Sequence, residues 1–111
     1  MEVVHRGEVW TIAGGAGRLS SEPRPAVILT SDLFRGLDFV TTVLVTSTHV
    51  DSPTRVRVPA TETGLERDSF AMADKLHTVP RANLGSRCGR LSTETMLELE
   101  RAVLVYLGIA R

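Results

Sequence analysis

The sequence has little cysteine, few aromatic residues and no long apolar run. Of its 111 residues only Cys88 is a cysteine, so no internal disulfide can form, and a reducing cytoplasm is the expected compartment. No apolar run reaches the roughly 18 residues that a membrane-spanning helix needs. The N-terminal residues 1–7 carry Glu2, His5 and Arg6 and include no apolar h-region, so a signal peptide is not expected. The sequence therefore predicts one cytoplasmic domain over residues 1–111, without a membrane partner.

The charged residues balance, which argues against binding nucleic acid through net charge alone. The formal net charge is +0, and all 13 basic residues except Lys75 are arginine. A guanidinium group suits phosphate, but a GC-rich genome would produce the same bias. His5, His49 and His77 show no metal-ligand spacing, and there is no Cys/His cluster. We therefore expect no metal ion and no other cofactor.

Short apolar runs separated by turn signals predict several short strands and then one helix. Strands are expected over residues 8–13, 25–30, 39–48, 55–58, 69–74, 76–79 and 87–91. Ser92 is the expected N-cap of the helix, whose apolar face comprises Met96, Leu99, Val103, Leu104 and Leu107. Glu100 falls within this face and needs a partner, for which we expect an arginine. This order predicts a compact antiparallel barrel with a helix packed on it.

Four segments form an ordered set over nearly the whole chain. They are RGEVW at 6–10, SEPRPAVIL at 21–29, VTST at 45–48, and GLERDS at 64–69 together with ADKL at 73–76. Taken together they resemble the RGDVW, GSEQ…RPAVVL, VPxT and ERDS…ADQ stretches of the MazF/PemK/Kid family of toxins. The resemblance implies a mainly β fold with a C-terminal helix, an SH3-like small barrel of the CcdB/PemK type, and a homodimer.

The resemblance also implies a function. Members of this family are sequence-specific, metal-independent endoribonucleases that cleave single-stranded RNA (mRNA, rRNA or tRNA) and are neutralised by a cognate MazE-like antitoxin. Such cleavage leaves 2′,3′-cyclic phosphate and 5′-OH ends and inhibits translation and growth. The family pattern assigns catalysis to the arginine of RP and the threonine of VPxT, which are Arg24 and Thr48 here. Two departures leave the cleavage sequence open: the loop is shorter than usual after Glu22, and Lys75 stands where glutamine is common.

The residues themselves fit this chemistry in part. The ribose 2′-OH is the nucleophile, so the protein must align it and stabilise charge on the phosphate. Arg24, which is always cationic, suits the second task, and Thr48 offers a hydroxyl donor. The general base stays open between Glu22, which is the first to test, His49, since histidine is the most frequent general base in enzymes, and Arg24 itself.

Substrate contacts are expected from Ser47, His49, Asp74 and Lys75, whose side chains can reach phosphates and base edges of single-stranded RNA. Without the resemblance, each would be interpreted as an ordinary strand or surface residue. Arg55 and Arg57 share one strand face and could extend a basic track, although the solvated face of a strand is the simpler explanation. Trp10 and Phe34 are the candidates for stacking on bases, and for Trp10 a core position is the simpler explanation.

Two other functions fit a small barrel. A gyrase-poison toxin of the CcdB type acts through a C-terminal tryptophan before Gly-Ile. Here Tyr106 and Leu107 precede Gly108-Ile109, and two residues follow. A plain SH3-like interaction module would have no need of Arg24 and Thr48. Cleavage of RNA distinguishes the enzyme from both.

Overall fold

The computed structural model describes residues 3–13 and 23–111, which form one six-stranded antiparallel sheet and a C-terminal helix. The sheet order is β4-β5-β3-β2-β1-β6. The strands are β1 Glu8–Ile12, β2 Arg24–Ile28, β3 Phe39–Thr46, β4 Arg55–Val58, β5 Ser69–Pro80 and β6 Leu84–Arg90, and the helices are α1 Ala60–Thr63 and α2 Thr93–Tyr106. Short 3-10 turns lie at Asp32–Phe34 and Arg81–Asn83. The expectation of a mainly β chain with a C-terminal helix is confirmed.

The strand boundaries differ from prediction in two places that matter. Strand β3 ends at Thr46 and not at Thr48, because Thr46 Oγ1 accepts a hydrogen bond from the Thr48 backbone N–H (3.2 Å) and turns the chain. Strand β5 is one strand of 12 residues and not two. The pairing of β5 with β3 is irregular between Ala71 and Leu76. This stretch contains the polar residues Asp74 and Lys75, where the apolar sequence pattern is interrupted.

Apolar residues pack on both faces of the sheet, because successive strand residues point to opposite sides. On one face Val9, Val27 and Val43 pack with Leu99 of α2. On the other, Trp10 packs with partners that include Ala26 and Ile28, which confirms Trp10 as a core residue. Burial of this apolar area supplies the main stabilisation of the fold.

Helix α1, which the sequence did not predict, joins the two ends of the sheet. It directly follows β4 and packs against β6, while β4 and β6 do not pair in the described ladder. A Cβ atom on Gly89 of β6 would lie 2.2 Å from the carbonyl oxygen of Glu62. Gly64, with φ of 76°, would place a Cβ 2.0 Å from the carbonyl oxygen of Cys88. The backbones therefore touch, and only glycine fits at these two positions.

The N-terminal half of α2 is anchored as predicted. Ser92 is its N-cap and accepts a hydrogen bond from the Thr95 backbone N–H at 3.1 Å. The partner of Glu100 is an arginine, Arg6 of the N-terminal segment, at 2.6 Å. The carboxylate is only half-buried, so this pair is worth little by itself.

The predicted apolar face of α2 is buried only in part. Met96 and Leu99 are buried and Val103 packs against the core, whereas Leu104 and Leu107 are 39% and 50% exposed. The helix ends at Tyr106, and Gly108 follows with a φ of 79°, which lets the Ile109 N–H donate to the Leu104 carbonyl. Among the described residues, no helix is long and apolar enough to cross a bilayer.

Candidate active site

A groove of about 690 Å³ lies where β2 begins, β3 ends and β5 begins. It is lined by Arg24 with its flanking prolines, by Val45–Ser47, and by Leu65–Arg67 with Ser69. The sheet register explains this meeting point, since Ala26 pairs with Leu44 and Thr46 pairs with Phe70. Three of the four segments that resemble the toxin family thus come together in the described structure.

Arg24 is held at the rim of this groove by a rigid strand. It is the first residue of β2 and pairs with Ile12 of β1, while Ala26, Val27 and Ile28 behind it are buried. Its side chain is exposed, and it forms no salt bridge with any residue in 3–13 or 23–111. A fixed backbone with an unpaired guanidinium is suited to binding an anion from solution.

Thr46, Ser47 and Ser69 bring hydroxyl groups to the groove, and the first two lie at the end of β3. Both line the groove, whereas Thr48 lies two residues beyond the end of β3, is exposed, and is not part of the lining. Sequence reasoning predicted Ser47 and missed Thr46, which holds the turn that follows the strand. The VTST motif, which contains both residues at the end of β3, was the available signal.

Three other predicted residues lie outside the groove lining. The His49 ring packs on Phe70, with ring centroids 4.8 Å apart and an interplanar angle of 45°. Asp74 forms a salt bridge with Arg55 at 2.5 Å, and Lys75 beside it on β5 is exposed. Burial acts to raise the pKa of Asp74, but the hydrogen bond and charge of Arg55 outweigh it and lower the pKa overall. Asp74 is therefore an ionised acceptor at neutral pH.

Glu22, predicted as the first candidate for the general base, lies outside the described residues. The roles of Glu22, Thr48, His49, Asp74 and Lys75 stay predictions. In the described part of the chain, no three His, Cys, Asp or Glu side chains come together as metal ligands.

The segment between α1 and β5 supplies groove residues that sequence reasoning did not assign. It is held at both ends: the Leu65 N–H donates to Thr63 Oγ1 at 3.1 Å, and Asp68 accepts from the Ala60 N–H at 2.8 Å and from Arg57. These contacts, with that of the Ala60 backbone the largest, lower the pKa of Asp68. The GLERDS motif was the available signal.

Arg57 and Arg55 are both engaged in ion pairs, so they do not form the basic track that was considered for them.

The described lining of the groove is positively charged although the whole chain is neutral. Arg24 and Arg67 face one carboxylate, Glu66, which gives a local net charge of +1, and hydroxyl groups lie among them. Such a surface attracts a polyanion and offers donors to its oxygen atoms. It has the components for charge stabilisation and orientation, without a nucleophile of its own.

Residues 5–107 match the sequence model of a family described as PemK-like, MazF-like toxins of type II toxin–antitoxin systems. The chain belongs to this toxin family. Two curated MazF relatives are similar over nearly their full length. A probable endoribonuclease MazF of Mycolicibacterium smegmatis is 41% identical over 109 residues, which is 96% of this chain and 99% of the relative. Endoribonuclease MazF9 of Mycobacterium tuberculosis is 30% identical over 118 residues, covering 96% and 98%.

Solved MazF structures share the fold. An endoribonuclease from a mycobacterial species, solved in complex with its cognate antitoxin, has a TM-score of 0.81 at 24% identity and covers 97% of this chain and 98% of its own. MazF in a MazE–MazF crystal structure from Deinococcus radiodurans has a TM-score of 0.80 at 20% identity, covering 98% and 100%. The antiparallel sheet with its C-terminal helix is thus the MazF fold.

Proposed function

We propose that this MazF-family protein is an endoribonuclease toxin that cleaves single-stranded RNA without a metal ion. The observation that carries the proposal is the groove, which Arg24 lines together with Thr46 and Ser47 at the end of β3 in a chain of this family. Within residues 3–13 and 23–111, Arg24 forms no salt bridge that would neutralise it. The names of the two curated relatives support the same activity.

The reaction needs no nucleophile from the protein. The ribose 2′-oxygen attacks the neighbouring phosphorus while the bond from phosphorus to the 5′-oxygen breaks, which leaves a 2′,3′-cyclic phosphate and a 5′-OH. The proton of the 2′-OH passes to a base, and a proton is delivered to the departing 5′-oxygen. The protein's part is therefore orientation, charge stabilisation and proton transfer.

Arg24 stabilises the negative charge that gathers on the phosphate oxygens. A preorganised donor of this kind contributes about 3–4 kcal/mol, which is a factor of roughly 10² to 10³ in rate. Thr48 supplies a hydroxyl donor once RNA is bound, and Ser47 contacts the phosphate from within the groove. Glu22 is the first candidate base. His49 is the second, although packing on Phe70 constrains its ring.

Asp74 and Lys75 are proposed to contact the RNA beside the groove. Asp74 is an ionised acceptor held by Arg55, so it can accept hydrogen bonds from the exocyclic amines of bases. Lys75 is exposed and can pair with a phosphate.

We also propose that the chain is a single SH3-like barrel that works as a cytoplasmic homodimer. The contact of α1 with β6 brings the two ends of the sheet together, which supports a barrel. Exposed apolar residues at the end of α2 and directly after it support a partner surface, namely Leu104, Val105, Tyr106, Leu107 and Ile109. A MazE-like antitoxin is the expected inhibitor, since related toxins were solved with theirs. Its acidic, partly disordered chain would compete with RNA for the positive groove.

The alternative of a gyrase poison of the CcdB type has less support. Both curated relatives are named endoribonucleases, and the tryptophan that the alternative requires is absent from the sequence around Tyr106.

The test is cleavage of a long single-stranded RNA in EDTA by the purified protein, with the ends mapped. Wild type is expected to make discrete cuts with 2′,3′-cyclic phosphate ends, and Arg24→Ala is expected to cut roughly 10² to 10³ times more slowly. Arg101→Gln removes the same charge from the exposed face of α2 and is expected to cut normally. Intact RNA with every protein would overturn the proposal, and DNA cleavage trapped on gyrase would then establish the alternative. Equal rates for wild type and Arg24→Ala would remove Arg24 from the mechanism.

A further inference from the structure

We propose that Arg67 is the second phosphate-binding residue of the groove, which holds a phosphate next to the scissile one and thereby positions the RNA. This inference rests on the proposed function. Arg67 lines the same groove as Arg24 but comes from a different part of the chain, the segment between α1 and β5. Two guanidinium groups from two segments can grip an RNA backbone at two points, which one residue cannot do.

The backbone around Arg67 is held as firmly as that of a regular element. The Arg67 carbonyl accepts a hydrogen bond from Ser69 Oγ at 3.2 Å, and Ser69 begins β5 and is buried. The next residue, Asp68, is tied to Ala60 and to Arg57, and Gly64 brings the segment's other end against β6. A binding side chain on such a platform loses little backbone freedom when its ligand arrives.

The charge of Arg67 is available for a ligand. Its side chain is exposed and makes no salt bridge within the described ranges, whereas the nearby Asp68 is already paired with Arg57. Glu66, the adjacent carboxylate, also forms no salt bridge with a described residue. Because Asp68 is paired with Arg57, Arg67 has no ion-pair partner among residues 3–13 and 23–111.

The lining indicates a phosphate and not a base as the ligand of Arg67. Proteins that hold single-stranded nucleic acid through its bases stack them on aromatic side chains. No aromatic side chain belongs to the described lining of this groove, which consists of prolines, aliphatic residues, hydroxyl groups and charges. Contacts to the backbone, made by a planar donor that can bind two phosphate oxygens at once, are what this surface offers.

The first experiment measures RNA binding against salt concentration. The RNA contains a 2′-deoxynucleotide at the cleaved position, so that it binds without being cut. Arg67→Gln is expected to weaken binding roughly tenfold at low salt and to reduce the slope of log K against log[salt] by about 0.7, which corresponds to one lost phosphate contact. Arg101→Gln removes the same charge outside the groove and is expected to leave the slope unchanged.

Kinetics separate positioning from catalysis. On cleavable RNA, Arg67→Gln is expected to raise KM roughly tenfold and to leave kcat within about twofold, while Arg24→Ala lowers kcat. Arg67→Lys keeps the charge and is expected to recover part of the affinity but not the two-point contact. Unchanged urea midpoints for the Arg67 variants would show that the effect is not one of folding.

A second experiment identifies the phosphate. RNAs that carry one neutral methylphosphonate at successive positions are bound by wild type and by Arg67→Gln. At one position next to the scissile phosphate, the neutral group should weaken wild type but have no further effect on the variant. Additive losses at every position, or an unchanged salt slope, would overturn the role of Arg67. If wild type cleaves RNA in either of those cases, the proposed function stands and only this inference fails; if wild type neither binds nor cleaves RNA, both fail.

Discussion

Replacing Gly64 by alanine should destabilise the protein by more than the usual cost of placing an alanine in a left-handed backbone conformation. Gly64 and Gly108 have nearly the same backbone conformation, with φ of 76° and 79°. An alanine in this conformation costs about 1 kcal/mol at either position. At Gly108 the added Cβ meets nothing within 4 Å, whereas at Gly64 it would lie 2.0 Å from the carbonyl oxygen of Cys88. The backbone of α1 must then move away from β6, which adds about 1–3 kcal/mol.

The assay is urea unfolding at one fixed protein concentration, because a dimer's stability depends on it. Gly108→Ala is the matched control and should lose about 1 kcal/mol, and Gly64→Ala should lose about 2–4 kcal/mol. Since Gly64 begins the segment that carries Arg67, RNA binding by Gly64→Ala should weaken as well. Equal losses for the two variants would refute the close approach of α1 to β6 as the reason for this glycine.

Two further predictions concern buried polar groups. Burial alone would raise the pKa of Glu8, which is 0% exposed, but hydrogen bonds, first from Trp10 and then from His5 and Arg87, lower it overall. A carboxylate with a lowered pKa stabilises the fold above its unfolded pKa of about 4.3, and this contribution is lost as pH falls through the folded value. Glu8→Gln should therefore lower the free energy of unfolding by about 1–3 kcal/mol at pH 7, measured in urea, and the difference from wild type should shrink below about pH 4. A difference that does not change with pH would contradict the stabilising role of the ionised Glu8 carboxylate. Ser92→Ala removes the N-cap of α2 and should lower the free energy of unfolding by about 1 kcal/mol in the same assay. A change near zero would contradict a stabilising role for this cap.

Parts of the fold followed from local pattern. The alternation Arg-Val-Arg-Val predicted β4 at its observed bounds, with Val56 and Val58 buried. Ser92 was recognised as an N-cap, since a serine before a helical period is a signal contained within one turn. Strand β5 was predicted as two strands, 69–74 and 76–79, separated at Lys75, and only the irregular pairing with β3 shows that the strand continues.

The candidate site was less accessible to sequence reasoning. The motifs singled out Arg24 and Ser47, which the structure brings together. They also predicted Thr48, although the strand ends at Thr46. The arrangement of Glu66 and Arg67 at the groove depends on hydrogen bonds from residues such as Ala60 and on packing against β6, and no local periodicity encodes these contacts.

The sequence by itself determined the fold class, the helix start and the toxin family, because residue period, capping and an ordered set of motifs are read along the chain. Only the tertiary structure decided which distant groups meet. From the sequence an arginine was expected as the partner of Glu100, but the choice of Arg6, 94 positions away, follows from how α2 lies on the sheet. In the same way, sheet register and the glycine contact of α1 with β6 place Arg67 in one groove with Arg24. Contacts of this kind depend on the register and packing of whole elements, which short-range sequence patterns do not specify.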